Sequence, residues 1–288
     1  MMSQPQRDLT TEPAPLPNRT RRSASIPRRL VSEGKYHLLP VYALLTTSDL
    51  AREGIRNSGS FRFADHIYRN EPSGRFGVGR MLDRVLLKLK GARSMRSRFL
   101  HSRLEILRAI EAAPPDRGVT VLSIPCGIAR DLFEVAETLR RADLDRYQKT
   151  RFLGIDLDPE PLELSRELTR NHECFEFTCA DALAPGTIPT GIDVIVSLGF
   201  GEFLADGILF DFYRRCLCAL KPGGYFITSA MSRDRVSDYL ARELAELHTH
   251  YRSTQHLRAL LTSAGFVGVR TTSDAVGLQT LAVAEKGR

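Results

Sequence analysis

The chain predicts an α/β fold: a doubly wound, seven-stranded sheet with an antiparallel last strand, preceded by a helical N-terminal region. Three observations carry this. From residue 119 onward, apolar strand-like runs alternate with helical runs, as in β-α-β units whose parallel sheet is covered on both faces. The last two strand-like runs are joined only by a short loop around "AVG", so they must pair antiparallel. Before that point, from about residue 31, apolar residues recur at helical spacing.

Residues 1–30 include "TEPAPLPNRTRRSASIPRR" and are dominated by Pro, Ser and Arg. They are expected to form a disordered basic tail, although an organellar transit peptide shares this composition. Residues 31–118 form the helical extension, with "MLDRVLLKL" and "SRFLHSRLEILRAIEAA" as its clearest amphipathic helices. The loop "RNEPSGRFGVG" precedes them, and Pro114-Pro115 ends the last helix. Residues 119–288 are the main domain. Its strands are expected at "VTVLSIP", "RFLGIDL", "FEFTCAD", "IDVIVSLG", "GYFITSA", "GVRTTSD" and "QTLAVAEK". Helices are expected at "ARDLFEVAETLRR", "PEPLELSRELTRN", "LFDFYRRCLCAL" and "STQHLRALLTSAG", with a poorer connection over 182–191.

Composition narrows the function classes. Of the 288 residues, 42% are hydrophobic and 26% charged, enough to build a sizeable core. No apolar run reaches the ~20 residues that span a bilayer. Five scattered cysteines, Cys126, Cys174, Cys179, Cys216 and Cys218, make no metal-type spacing and read as thiols of a reducing, cytoplasmic compartment. "HTHYR" at 248–252 is no metal motif, so no metal is expected. The net charge of +7 is uneven: residues 1–100 hold 19 Lys and Arg against 8 Asp and Glu, whereas the remainder is mildly acidic. A basic N-terminal third can attract nucleic acid, phospholipid or acyl carriers.

The stretch "GVTVLSIPCGIARDL" is a strand, a glycine turn and a helix start, where open α/β sheets bind ligands. Dinucleotide folds need three glycines there to let backbone approach a pyrophosphate. This chain has Pro125, Gly127 and Arg130 at those positions, and no GK[ST] follows, so neither a dinucleotide loop nor a P-loop fits.

The stretch instead resembles the first motif of class I S-adenosylmethionine-dependent methyltransferases, a Rossmann-like fold. Ser123 stands at that motif's acid, Pro125 at its first glycine, Gly127 at its second and Ala129 at its third. "FLGIDLDPEPLELSREL" resembles the second motif and "FTCADAL" the third. "IDVIVSLGFGEFL", "ALKPGGYFITSAM" and the closing "SAGFVGVRTTSD…LQTLAVAEK" follow in family order, so the resemblance spans about residues 119–286. It implies S-adenosylmethionine as cofactor, held by Ser123, Pro125, Cys126, Gly127, Asp156, Leu157, Asp181, Ala182 and Ser197. Asp156 would accept from both ribose hydroxyls, since a carboxylate is acceptor-only with two oxygens. Asp158 competes for that role, but before Pro159 it reads as a helix N-cap. Asp181 would accept from the adenine amino group while the Ala182 N–H donates to the ring. Cys126 follows Pro125, but it lies in the cofactor loop and is expected to pack there.

The segment "FRFADHIYRNEPSGRFGVGRMLDRVLLKL" is similar to the region preceding the methyltransferase domain in a family of uncharacterised bacterial methyltransferases, some fused to an α/β-hydrolase. That similarity implies a helical lid over 31–118. The acceptor side is then expected at the loop Ser197–Leu204 and in the lid. Glu202, the loop's ionisable group, is the candidate base or orienting acid. An alternative is a helix N-terminal acid facing the dipole. Phe200, Phe203, Tyr68 and Arg69 are candidate substrate contacts, with His66 beside them and Arg62, Arg75 and Arg80 favouring an anionic acceptor. "SLGF" after strand four replaces the [DN]PP[YF] of enzymes that methylate exocyclic amines. The expected activity is methyl transfer to a small-molecule or lipid acceptor. The alternatives are an RNA methyltransferase using the basic third and an inactive cofactor-binding scaffold.

Overall fold

The computed structural model describes residues 26–57 and 59–288. The expected tail over 1–30 lies outside the described residues up to Ser25. From there the boundary is earlier than expected: α1 (Ile26–Ser32) buries Ile26 and Leu30.

The N-terminal region continues as α2 (Leu38–Leu45), α3 (Asp49–Arg56), α4 (Phe61–Arg69), α5 (Phe76–Leu86) and the long α6 (Lys90–Glu111). Serines start two of them: Ser48 accepts from the Ala51 N–H and Ser60 from the Phe63 N–H, satisfying free donors of the first turn. Asp83, fully buried on α5, ties this group together. It accepts from the Ser48 hydroxyl and from the N–H groups of Leu50 (3.0 Å) and Ser73 (2.9 Å), and His66 Nε2 lies 2.8 Å away. Gly79 is required here, because a Cβ on it would lie 2.2 Å from the Thr47 carbonyl oxygen.

The main sheet follows: β1 (Val119–Ser123), α7 (Arg130–Ala142), α8 (Leu144–Gln148), β2 (Thr150–Asp156), α9 (Pro159–Leu168), β3 (Phe175–Cys179), β4 (Ile192–Ser197), α10 (Asp206–Ala219), β5 (Leu220–Met231), α11 (Arg235–Ala245), α12 (Thr254–Ala264), β6 (Val267–Ser273) and β7 (Gln279–Glu285). A 3-10 turn over Phe200–Phe203 precedes α10. The strand order is β3-β2-β1-β4-β5-β7-β6, with β7 antiparallel to both neighbours and the other pairings parallel. Gly223 and Gly224 lie within β5, where the pairing with β4 shifts register between Ile192 and Val194. Helices α8 and α11 are additional to those the sequence suggests.

Each sheet face carries its own core. On one, α10 and α12 cover Phe226 and Ile195 with Phe212, Leu257 and Leu261. On the other, α6 and α7 cover Val121, Phe152 and Val196 with Ile106, Ile110, Leu132 and Val135. Thus α6 completes the sandwich, and the expected boundary at residue 118 cuts through one hydrophobic core. Arg146, itself buried, closes the end of α6 by donating to the carbonyls of Ile110 and Ala113.

Candidate active site

The carboxyl ends of β1, β2 and β3 lie side by side, and the strand order reverses between β1 and β4. That reversal is where an open α/β sheet offers its binding crevice. After β1 the chain turns at Gly127, whose φ of +52° suits a residue without a Cβ. The Gly127 N–H donates to Asp156 Oδ2 at 2.8 Å, and the Asp158 N–H donates to Asp156 Oδ1 at 3.0 Å. Asp156 therefore locks the first loop to the end of β2, and each oxygen keeps capacity for a further donor. Burial raises its pKa above the ordinary carboxylate value, against the pull of these backbone donors. Asp158 caps α9, accepting from the Glu160 N–H at 3.0 Å.

The neighbours of Gly127 hold its position. Ser123 is buried at the end of β1, and Pro125 is half-buried beyond it. Cys126 donates its N–H to the Ile155 carbonyl at 2.9 Å. Its thiol is buried so closely against β2 that a Cβ on Gly154 would lie 3.1 Å from Sγ. Burial pushes that thiol well above its usual range. Ala129 is fully buried, and its N–H donates to Ser165 Oγ at 3.0 Å, which explains a small residue at the motif's third position. Leu157 follows Asp156, and its carbonyl faces the Cys179 thiol at 3.4 Å. At the end of β3, Asp181 Oδ1 accepts from the Leu183 N–H at 2.8 Å, while Ala182 is buried in the core. Two acceptor-only carboxylates thus stand at adjacent strand ends beside a bare glycine. Such a set fits hydroxyl and amino donors of a nucleoside. Among the described residues, no group of three or more His, Cys, Asp or Glu could hold a metal.

Helix α4 crosses this edge of the sheet. A Cβ on Gly127 would lie 3.4 Å from Phe61 Cβ at the helix start. Arg62 pairs with Glu160 at the head of α9, and Asp65 Oδ1 accepts from Arg130 Nε at 2.5 Å at the head of α7. Seven residues beyond Phe61, about 10 Å along the helix, Tyr68 meets Arg98, which in turn contacts the loop after β4.

There a buried polar network closes the site. Arg98 of α6, 5% exposed, donates from Nη2 to the Tyr68 hydroxyl at 2.9 Å and from Nη1 to Glu202 Oε1 at 3.0 Å. Gln279, at the start of β7, donates to the same Glu202 oxygen at 3.1 Å. Burial alone would depress the Arg98 guanidinium; Tyr68 and Glu202 outweigh it and raise its pKa. Gly199 has φ +76°, and a Cβ there would lie 3.0 Å from Arg98 Nη1, so glycine gives the guanidinium its room. The Tyr68 ring stacks on Phe99 with centroids 4.5 Å apart. From the far side Arg252, also buried, donates to Asp206 and to the carbonyls of Gly201 and Leu204, clasping the same loop.

The other expected acceptor-side residues divide. Ser197 is buried at the end of β4, its carbonyl accepting from Thr228 Oγ1 at 2.9 Å. Phe200 packs edge-on against Phe212 in the core, and Phe203 is half-buried in the same turn. Arg69, one position on from Tyr68, points away from the network, is exposed and pairs with Glu71. Arg75 and Arg80 are exposed on α5 and its cap, and His66 belongs to the Asp83 hub. Arg98 and Gln279 escape a motif-based reading. The signal for Arg98 is its place on the buried stripe of α6, between Ser94, Ser102, Ile106 and Ile110 at four-residue spacing. Two surface clefts of about 530 and 610 Å³ lie elsewhere, one beside Arg242 and Tyr251, the other at the amino ends of β2 and β3; neither opens onto Gly127 or Asp156.

Over residues 45–286 the chain matches a family described as "Putative methyltransferase". No curated protein matches it. Solved structures share the architecture. A "possible exported protein" from Bordetella parapertussis superposes with a TM-score of 0.76 at 21% identity, over 92% of this chain and 94% of that one. The CurJ carbon methyltransferase gives 0.58 at 17% identity, over 89% and 71%. Magnesium protoporphyrin IX methyltransferase from Synechocystis PCC 6803, with bound SAH, gives 0.52 at 11% identity, over 77% and 93%. At these identities the likeness establishes the fold.

Proposed function

The chain belongs to this methyltransferase family, and we propose that it transfers the methyl group of S-adenosylmethionine to a small-molecule or lipid acceptor. The observation that carries this reading is the bond from the Gly127 N–H to Asp156, which joins the first two motifs at neighbouring strand ends. When bound, S-adenosylmethionine supplies a methyl group on a cationic sulfur, already activated for displacement. The protein then has to bind, orient and keep water out. Asp156 would hold the ribose hydroxyls through the free capacity of its two oxygens. Asp181 and the Ala182 backbone would read the adenine edge. Gly127 supplies the positive φ of the turn, with Phe61 of α4 packed beside it.

Helix α4 acts as the lid, since it spans from Gly127 to the loop after β4. Packed there, α4 would keep water from the bound cofactor and help hold the acceptor, the main contribution such a reaction asks of a protein. Glu202 serves this site as an anchor. Its carboxylate is held by Arg98 and Gln279, so its role is to set the loop at 199–206 and the lid against one another.

The test is incubation of the full chain and a cell extract with S-adenosylmethionine carrying an isotope-labelled methyl group, followed by untargeted mass spectrometry of small molecules and lipids. A labelled product that depends on the chain supports the reading. Label confined to RNA would favour the alternative of a nucleic-acid acceptor, and cofactor binding without any labelled product would favour a scaffold.

A further inference from the structure

Outside the site, the outer face of α5 is unusual for a folded surface. Phe76, Val78, Met81, Val85 and Leu89 are all exposed, from 50% at Val85 to 85% at Phe76. Val78, Met81 and Val85 follow at helical spacing along α5 and form one stripe, and Leu89, just beyond the end of the helix, is exposed as well. Phe76 also has a φ of +54°, a conformation costly for a bulky residue, yet its ring is left in solvent. Contiguous apolar exposure of this kind marks an interaction site.

The charges on the same face choose the partner. Between residues 72 and 104 the chain has nine Lys and Arg and one acid, and that acid, Asp83, is fully buried. Arg75, Arg80, Arg84, Lys88, Lys90 and Arg93 are exposed and, among the described residues, form no ion pair. Cations therefore flank and interleave with the apolar stripe. A second copy of this chain would bring the same positive charge against it, so self-association is disfavoured. Nucleic acid would match the charge but has no use for a Met-Val-Leu stripe. An anionic lipid surface satisfies both features, since its headgroups neutralise the cations while the apolar side chains enter the acyl boundary.

We propose that α5 docks the protein peripherally on an anionic membrane surface. The apolar stripe inserts, and Arg80, Arg84 and Lys88 sit among the headgroups. The inference is independent of the methyl-transfer reading.

The experiment is co-sedimentation of the full chain with vesicles of phosphatidylcholine alone or mixed with phosphatidylglycerol. The wild-type chain should sediment with the mixed vesicles, remain soluble with the neutral ones, and be released by salt. Met81→Ser/Val85→Ser/Leu89→Ser keeps every charge and should weaken binding by about tenfold or more, because each apolar side chain adds to partition. Arg80→Gln/Arg84→Gln/Lys88→Gln should weaken it similarly and serves as the second test if the first variant misfolds. Because all six residues are exposed, thermal unfolding should match wild type. The proposal is overturned if the wild-type chain ignores the mixed vesicles, as it would if the face serves an acidic protein. It is equally overturned if neutral vesicles bind as well, or if folded variants bind like wild type, which would place the contact elsewhere.

Discussion

Arg98 Nη1 lies 3.0 Å from Glu202 Oε1, and the contact joins α6 to the loop after β4 across 104 residues of sequence. Both side chains are largely removed from solvent, 5% and 13% exposed. Removing one partner of such a pair leaves the other charge buried, typically a cost of about 3–5 kcal/mol. Arg98→Ala should therefore lower unfolding free energy by about that much in urea titration, with a smaller loss, about 1–3 kcal/mol, for Glu202→Gln, which keeps an acceptor for Arg98. If both variants are as stable as wild type, Glu202 is not an anchor and its role as a base comes back into play.

Cys126 follows Pro125, an order that invites a nucleophile reading. The structure gives the opposite expectation. Burial pushes the Cys126 and Cys216 thiols up, whereas Cys179 and Cys218 are exposed. The reactive species is the thiolate. Brief alkylation of the native chain at mildly alkaline pH should label Cys179 and Cys218 and spare Cys126 and Cys216, as read by peptide mass spectrometry. Early labelling of Cys126 would contradict its packing role.

Asp131, buried in the first turn of α7, has its carboxyl pushed up to about 6 by burial. Its ordinary value is 3.8, so between the two values the native state binds more protons than the unfolded one. Stability then falls as pH rises from about 4 to about 6 and is flat above, by about 3 kcal/mol in all. Asp131→Asn keeps an acceptor for the Leu132 N–H and should remove that slope, leaving the variant more stable than wild type at neutral pH. Unfolding midpoints measured across this range check it; parallel profiles for the two proteins would refute the assignment.

Much of this was legible in the sequence, for identifiable reasons. Strands buried on both faces are near-continuous apolar runs, so β1, β2 and β4 stand out, and the short "AVG" connection fixes the antiparallel β7. Asp158 is legible as a helix N-cap because Pro159 marks a helix start. Less was legible where no local pattern exists. Helix α8 has five residues, too few to show a period. Helix α1 is recognisable only through its burial against Leu244, more than two hundred residues away. Arg98 and Gln279 meet Glu202 only in the folded chain, since the three come from α6, β7 and the loop after β4. Arg69 and Tyr68 are neighbours in sequence but sit about 100° apart around a helix, so one faces Arg98 and the other solvent.

The most direct test of the account is titration calorimetry of S-adenosylmethionine into the full chain and into Asp156→Ala. The wild-type chain should bind one equivalent, and the variant should lose about 1–3 kcal/mol of binding free energy, roughly 5- to 150-fold in affinity. A wild-type chain that does not bind S-adenosylmethionine, or a folded Asp156→Ala variant that binds it equally well, would contradict the assignment of the carboxyl ends of β1 and β2 as the cofactor site.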